Sequence, residues 1–571
     1  MQDRSSPRRR GRLTVDLLEA RETPAGALTA ALSGGILTLT GDDNNNDITV
    51  LVTATGAVVT GNAGTQVNVT GSLNGTVTGI NANLGDGDDT LAIDAVAPLS
   101  LTGNATFNLG DGDDTLSLVT AGALSISGNL TVAGGEGFDR VTVDGAAASQ
   151  ITGSATLSLG TGGSDILFQD VAINGGAGLT VSAGEGADAV TLDTVTVARA
   201  VTVNAGAGAL AFSAVNSTLN SLTLTASGRA VGDAGIDLDL ENTTVTRNVR
   251  VTSRLGAEVD ITGGSVGSLS VTGGALGNVD VSLDGTVDVN GNLTVRGFDA
   301  SLDVSAGTVT VDGNVQVTGT AAAALLVEAG GTLSVGGQVS VQATLGEATL
   351  TATGTALTVG KNLTVTGGNR TVVTLDTSAA SQVSGQVSVR GGAGNDEVFA
   401  SSTFSASRNL TLTLGGGDNT VTLGDGIAAL AVGGNLVITA TDGDDEVTLD
   451  RVTVAGTTSI LLGAGADDLT ISNGTTFSGT ATIDLGAGAD VLDIASDLAA
   501  TAVVTFARQA VIRTGSGNDV IDLGLAVAAG GTVNTAVVFS AAQNLFDAGV
   551  GLDAFVAADA QITGNLTQLG V

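Results

Sequence analysis

The chain has 571 residues, a formal net charge of −37 and 86 glycines, with no Cys, His, Trp or Tyr and a single lysine, Lys361. This excludes His-based acid–base catalysis, thiolate nucleophiles, disulfides and zinc or iron sites of the usual ligand types, and an acidic chain without aromatic platforms repels nucleic acid. Hydrophobic residues nevertheless make up 42%, too many for a disordered acidic chain, and no apolar run approaches the roughly 18–20 residues of a membrane span.

Residues 1–26 differ in kind. They hold six of the nineteen arginines and two of the three prolines, and 13–21 carries the one helical pattern. A basic start suggests a targeting sequence, but the apolar core of a secretory signal is missing. The stretch RRRGRLTVDLLEARETPA resembles a short N-terminal segment common on large secreted or surface proteins of planctomycete bacteria, with its Leu-Glu-x-Arg core at Leu18, Glu19, Ala20 and Arg21 followed by Thr-Pro-Ala. The resemblance implies export or surface attachment. The residues by themselves also fit a disordered basic tail.

From residue 27 onward the sequence repeats. A degenerate copy, TGDDNNNDITV (40–50), precedes LGDGDDTLAI (84–93), LGDGDDTLSL (109–118), GGEGFDRVTV (134–143), LGTGGSDILF (159–168) and AGEGADAVTL (183–192). Their aspartates Asp89, Asp114, Asp139, Asp165 and Asp188 lie 25, 25, 26 and 23 residues apart. After a gap the series resumes with GGAGNDEVFA (391–400), LGGGDNTVTL (414–423), TDGDDEVTL (441–449), LGAGADDLTI (462–471), LGAGADVLDI (485–494) and TGSGNDVIDL (514–523), and a weaker copy, AGVGLDAFV, stands at 548–556. A second motif keeps the same beat through the gap: GNLTV (291–295), GNVQV (313–317), GGQVSV (336–341), KNLTV (361–365), SGQVSV (384–389) and RNLTL (408–412).

Between the motifs, Val, Leu, Ile and Thr alternate with period two, and Gly, Asn and Asp interrupt them as tight turns require. One coil reads as three short strands. Strands recurring every 22–26 residues can stack rung on rung, so the expected fold is all-β: a parallel β-solenoid, β-helix or β-roll-like, of roughly 22 coils. At about 4.8 Å per rung it would be a rod on the order of 100 Å long. The expected organisation is a basic export-like segment at 1–26, solenoid with acidic loops at 27–190, solenoid mostly lacking them at 191–390, and acidic loops again with a C-terminal cap at 391–571. Asn104, Asn129, Asn292, Asn314 and Asn362 recur at the coil period, so an asparagine ladder along one corner is the better reading than glycosylation acceptors.

Stacking sharpens the question posed by LGDGDDTL, which occurs at both 84–91 and 109–116. Asp86, Asp88 and Asp89 would face Asp111, Asp113 and Asp114 about 5 Å away, each pair costing roughly 1 kcal/mol even in water. Calcium would relieve this, since it takes six to eight oxygens at about 2.3–2.6 Å from carboxylates and carbonyls, and glycines let carbonyls of adjacent turns converge. The loops resemble the G-G-x-G-x-D-x-U-x nonapeptide of repeats-in-toxin (hemolysin-type) calcium-binding proteins. The resemblance implies calcium between successive coils, and the family aspartate falls on Asp89, Asp114, Asp139, Asp188, Asp396, Asp445, Asp467, Asp490 and Asp519. Three departures stand out. There is one loop per 22–26 residues rather than two per coil, Asn419 replaces one aspartate and Thr441 one glycine, and an extra residue precedes Asp165. Asp165 is expected as a calcium ligand all the same, as are Asp86, Asp88, Asp111 and Asp113 beside the nine family aspartates. The competing reading is that Asp-Gly and Asn-Gly only make good turns.

The functional expectation is an extracellular or cell-surface, adhesin-like structural protein that binds calcium. Its expected partners are calcium and envelope or extracellular polysaccharide or protein, with no nucleic acid and no membrane span. A polysaccharide-active β-helix enzyme is the second reading. It is disfavoured because the aspartates recur at the coil period, whereas a catalytic site breaks periodicity once, and because there is no Trp or Tyr to stack on sugars. A flat Thr-x-Thr face, suggested by LTLT (37–40 and 222–225) and TVTV (194–197), is a third, set aside because the matches do not hold one register.

Overall fold

The computed structural model describes residues 26–95, 97–228, 235–495, 503–524, 537–541, 543–556 and 566–569. The basic N-terminal segment and the helical pattern at 13–21 therefore lie outside the described residues. The chain is an all-β parallel β-solenoid, in which the 53 strands of the described residues join in one hydrogen-bonded sheet system. Among the described residues there is no helix, hence none long and apolar enough to cross a membrane.

Each coil has three faces. In one coil, face A is Thr115–Thr120, face B is Leu124–Ile126 and face C is Leu130–Ala133. Alternation sends Leu116, Leu118, Leu124, Ile126, Leu130 and Val132 inward, all fully buried, and Thr115, Ser117, Ser125 and Thr131 outward. Each large aliphatic side chain so buried is worth about 1.5–3 kcal/mol. Register is strict: Leu116 lies between Leu91 of the coil before and Val141 of the coil after. A slip by one residue would turn the whole apolar set outward.

At the N-terminal end the parallel rule is broken by two hairpins, Ala27–Ser33 with Ile36–Thr40 and Asp47–Thr53 with Gly56–Asn62. Asp47–Thr53 has Thr90–Ala95 as its parallel neighbour on one side and the antiparallel Gly56–Asn62 on the other. That occupies an edge that would otherwise template another chain.

The middle coils keep the fold but change their strands. Ile236–Ser253 and Leu293–Val311 run as single strands of 18 and 19 residues through the corners, where most outer coils are broken into three and only Asp139–Ile151 and Ser164–Ile173 run on from face A to face B. Fewer Gly-Asp loops interrupt the ladder there.

The asparagine corner exists, but its bonds run from side chain to backbone rather than from amide to amide. Asn104 Oδ1 accepts from the Asn129 backbone N–H (2.9 Å), Asn129 Oδ1 from Ser154 (2.9 Å), Asn292 Oδ1 from Asn314 (2.9 Å), Asn314 Oδ1 from Gln338 (3.0 Å) and Asn362 Oδ1 from Gln386 (3.0 Å).

The reason for setting the Thr-x-Thr segments aside is corrected by the register. Thr38 and Thr40 stack through Asn81 and Asn83 onto Thr106 and Asn108, and the same two columns continue to Thr223 and Thr225. Both LTLT segments therefore share one register on face C. TVTV does not, because Thr196 pairs on face B. Coil lengths vary between these segments, so counting residues along the chain concealed the match.

Candidate functional site: a buried aspartate column

The residue that opens face A occupies one column along the solenoid, at the corner between faces C and A. In the first block the column runs Asn46, Asp89, Asp114, Asp139, Ser164 and Asp188. It then becomes apolar through Leu210, Ile236, Ala257, Val279, Ala300, Ala323 and Ala348. From Thr371 it is polar again, through Asp396, Asn419, Asp445, Asp467, Asp490 and Asp519 to Asp553. Every aspartate from Asp89 to Asp519 in it is at most 3% exposed.

A buried carboxylate needs donors, and this column finds one in the backbone of the preceding coil. Asp89 Oδ1 accepts from the Asn46 N–H (2.7 Å) and Asp114 Oδ1 from Asp89 (2.8 Å). In the second block Asp445 Oδ1 accepts from Asn419 (3.0 Å), Asp467 from Asp445 (2.9 Å), Asp490 from Asp467 (2.9 Å) and Asp519 from Asp490 (3.1 Å). Where the residue just before the column position is Asp or Asn, its bond runs the opposite way. Asp88 Oδ1 accepts from the Asp113 N–H of the following coil (3.0 Å), and Asp113 Oδ1 from Phe138 (2.7 Å). Neighbouring loop residues thus clamp the coil above and the coil below.

The second oxygen of the inner carboxylates has no partner. Oδ2 of Asp89, Asp114, Asp188, Asp396, Asp445, Asp467, Asp490, Asp519 and Asp553 is buried without a hydrogen bond, and both oxygens of Asp139 are. Burial, with neighbouring carboxylates adding to it, pushes Asp89 and Asp139 up to about 7 and Asp114 to about 6. Burial likewise raises Asp188, Asp445, Asp467 and Asp490 to about 6. These groups sit where a small loss of desolvation, or a cation, decides their charge.

Beside the column the loops form a cradle of carbonyls. A Cβ on Gly110 or Gly112 would overlap the carbonyl oxygen of Gly85 or Gly87, one on Gly135 or Gly137 those of Gly110 and Gly112, and one on Gly465 or Gly488 those of Gly443 and Gly465. A Cβ on Gly134 or Gly391 would strike Oδ2 of Asp139 or Asp396. The motif glycines are required by coil-on-coil contact, with positive φ as a second reason at Gly85, Gly87, Gly110 and Gly112.

The fourteen aspartates expected as ligands divide into three groups. Asp89, Asp114, Asp139, Asp188, Asp396, Asp445, Asp467, Asp490 and Asp519 form the inner column. Asp86, Asp88, Asp111 and Asp113 are exposed on the loop rim. Asp165 is in neither place: Ser164 takes the column position, and Asp165 points outward from face A and pairs with Arg140 at 3.2 Å. The extra residue before Asp165 shifted the carboxylate by one position, which in a strand means the opposite face. Sequence reading missed Asn46, Thr371 and Asp553 as column members. Only the register reveals Thr371, whereas the degenerate copy at 40–50 and the weak copy at 548–556 held the signal for Asn46 and Asp553. Among the described residues no three acidic side chains converge as a metal-ligand group, so an ion held here would draw on loop carbonyls as well as on the column.

No known family and no curated protein matches the chain.

Proposed function

We propose that the protein is a calcium-stabilised structural solenoid of the cell surface or extracellular space, serving as a stalk, adhesin or envelope component. The observation that carries this reading is the row of buried, unpartnered Oδ2 atoms beside a wall of glycine carbonyls. The donor set is all oxygen, as a hard cation requires. The inner aspartates would hold the ion together with loop carbonyls, with Asp86, Asp88, Asp111 and Asp113 at the rim. Calcium would neutralise the column and tie coil to coil. Asp165 is left out because its carboxylate is on the wrong face. The resemblance of residues 8–25 to an export segment supports a location outside the cell, where calcium is abundant.

A metal-independent reading has its own observation. One oxygen of most column aspartates already accepts a backbone N–H, so the column can serve as a hydrogen-bond ladder with its second oxygen protonated. Thermal melts followed by far-UV circular dichroism in EDTA, and across calcium and magnesium titrations, separate the two. Calcium at millimolar concentration is expected to raise the midpoint well beyond the effect of magnesium. Coincident melts would leave the ladder as the whole role of the column.

A further inference from the structure

Charge is distributed on one side of this solenoid in a way that net composition hides. Along both outward columns of face C, from Thr38 and Thr40 to Val437 and Thr439, there is no carboxylate, in a chain with 57 acidic residues. The columns carry hydroxyls and amides, with Arg250, Arg296 and Arg390 projecting from them. Arg247, Lys361 and Arg408 stand at the corner where face B turns into face C. All six are exposed, and the ion pairs among the described residues involve only Arg140 and Arg370.

Face A of four of these coils, those that open at Ile236, Ala257, Val279 and Ala300, is the reverse. Its outward columns stack Asp237, Glu258 and Asp280, and beside them Asp239, Asp260, Ser282 and Asp303. All of these carboxylates except Asp239 line two shallow clefts of about 460 and 200 Å³. Burial and neighbouring carboxylates push Asp239 and Asp260 above their ordinary range, the condition of acids that lack cations.

We propose that face C of one molecule docks on face A of a second copy, Arg250 and Arg296 of the first entering the acidic clefts of the second. Guanidinium and carboxylate are matched in shape and charge. Arg250 and Arg296 stand two rungs apart and the acids span four rungs at the same spacing of about 4.8 Å, so these two bases meet acids in register, while Lys361, Arg390 and Arg408 stand on coils beyond the acidic ones. The basic part of face C, from the coil of Arg247 to that of Arg408, measures roughly 35 Å by 15 Å, or about 1,000 Å² buried in total, at the lower bound for a specific interface. The contact is heterologous and unclosed, so it builds rows of solenoids rather than dimers. It uses no loop aspartate and does not rest on the calcium reading.

Salt gives the association a distinctive profile. At very low ionic strength the charge of −37 keeps molecules apart. Near physiological strength the Debye length of about 8 Å screens that repulsion but leaves contact pairs intact, and at about 1 M the pairs are screened as well. Sedimentation velocity on the full chain in calcium, where the fold is present under either reading of the loops, is expected to show association that peaks at intermediate salt. R250E/R296E/R390E should lose it, with at least about a tenfold weaker self-affinity, and so should D237R/E258R/D280R. Circular dichroism checks that both variants fold. A mixture of the two variants should recover assembly, because each then offers the face the other lacks. A wild-type chain that stays monomeric at every salt concentration, assembly indifferent to both sets of reversals, or two variants that do not complement would each overturn the proposal. So would binding of a polyuronate to face C without self-association, which would make an anionic polymer the occupant.

Discussion

Most column aspartates are divided in their loyalties. Oδ1 of Asp467 holds the Asp445 N–H while Oδ2 has nothing, so the carboxylate form is half-satisfied and the acid form is favoured by burial. Asn419 shows how the chain meets the same demand without charge: its Oδ1 accepts from Asp396 (2.9 Å) and its Nδ2 donates to the Gly417 carbonyl (2.9 Å) and to Asp445 Oδ1 (2.7 Å). The pH dependence follows from folded values of about 6 to 7 against about 3.9 in the unfolded chain. Between those values the folded state binds more protons, so this contribution is full below the unfolded value and is lost as pH rises through 6 to 7. In EDTA the melting temperature is expected to be higher at pH 5 than at pH 7.5. Calcium, which needs the deprotonated form, should flatten or invert that slope. Asp467→Asn should keep the acceptor, hold the metal-free melting temperature and reduce the calcium increment, as measured by melts at both pH values with and without calcium.

At the scale of the coil, corners rather than strands set what the sequence must supply. In the first half of the molecule the corner between faces A and B is a column of left-handed residues: Asp170, Thr194, Asn216, Asn242, Gly263, Gly285 and Gly307, with φ from 48° to 79°. Glycine or asparagine is expected there, whereas Asp170 and Thr194 accept the strain because the strands on either side are fixed. The loop corner between faces C and A is less forgiving, since its glycines are closed in by backbone. Gly110→Ala places a methyl group on the Gly85 carbonyl at a φ of 116°. It should cost more than about 2 kcal/mol, read as a lower melting temperature and as faster amide exchange confined to coils 84–143.

Across the whole molecule each coil touches only its neighbours, so stability is local and additive along the rod. The column divides that rod in three. Its middle third carries Leu210, Ile236, Ala257, Val279, Ala300, Ala323 and Ala348 where the ends carry carboxylates, and these side chains need neither proton nor cation. Hydrogen exchange with and without calcium is expected to show protection that is independent of calcium over residues 210–348 and dependent on it over 84–192 and 391–523. Uniform protection throughout, or a calcium response centred on the middle, would sink that division.

Period-two alternation and a coil beat of 22–26 residues were enough to determine a parallel solenoid, because a repeat that buries alternate residues can stack only in register with itself. The same beat placed nine aspartates in one column, since identical loops on identical rungs superpose. It could not place Asp165, because one inserted residue reverses a side chain's face and letters do not show where the strand resumes. Nor could it show that the apolar residues of the middle continue the aspartate column, that Thr38 and Thr223 share a file, or that the bases gather on face C opposite the acids of face A. Those relations hold between residues tens to hundreds apart, joined through coils of unequal length. Only the accumulated register of backbone hydrogen bonds brings them into line.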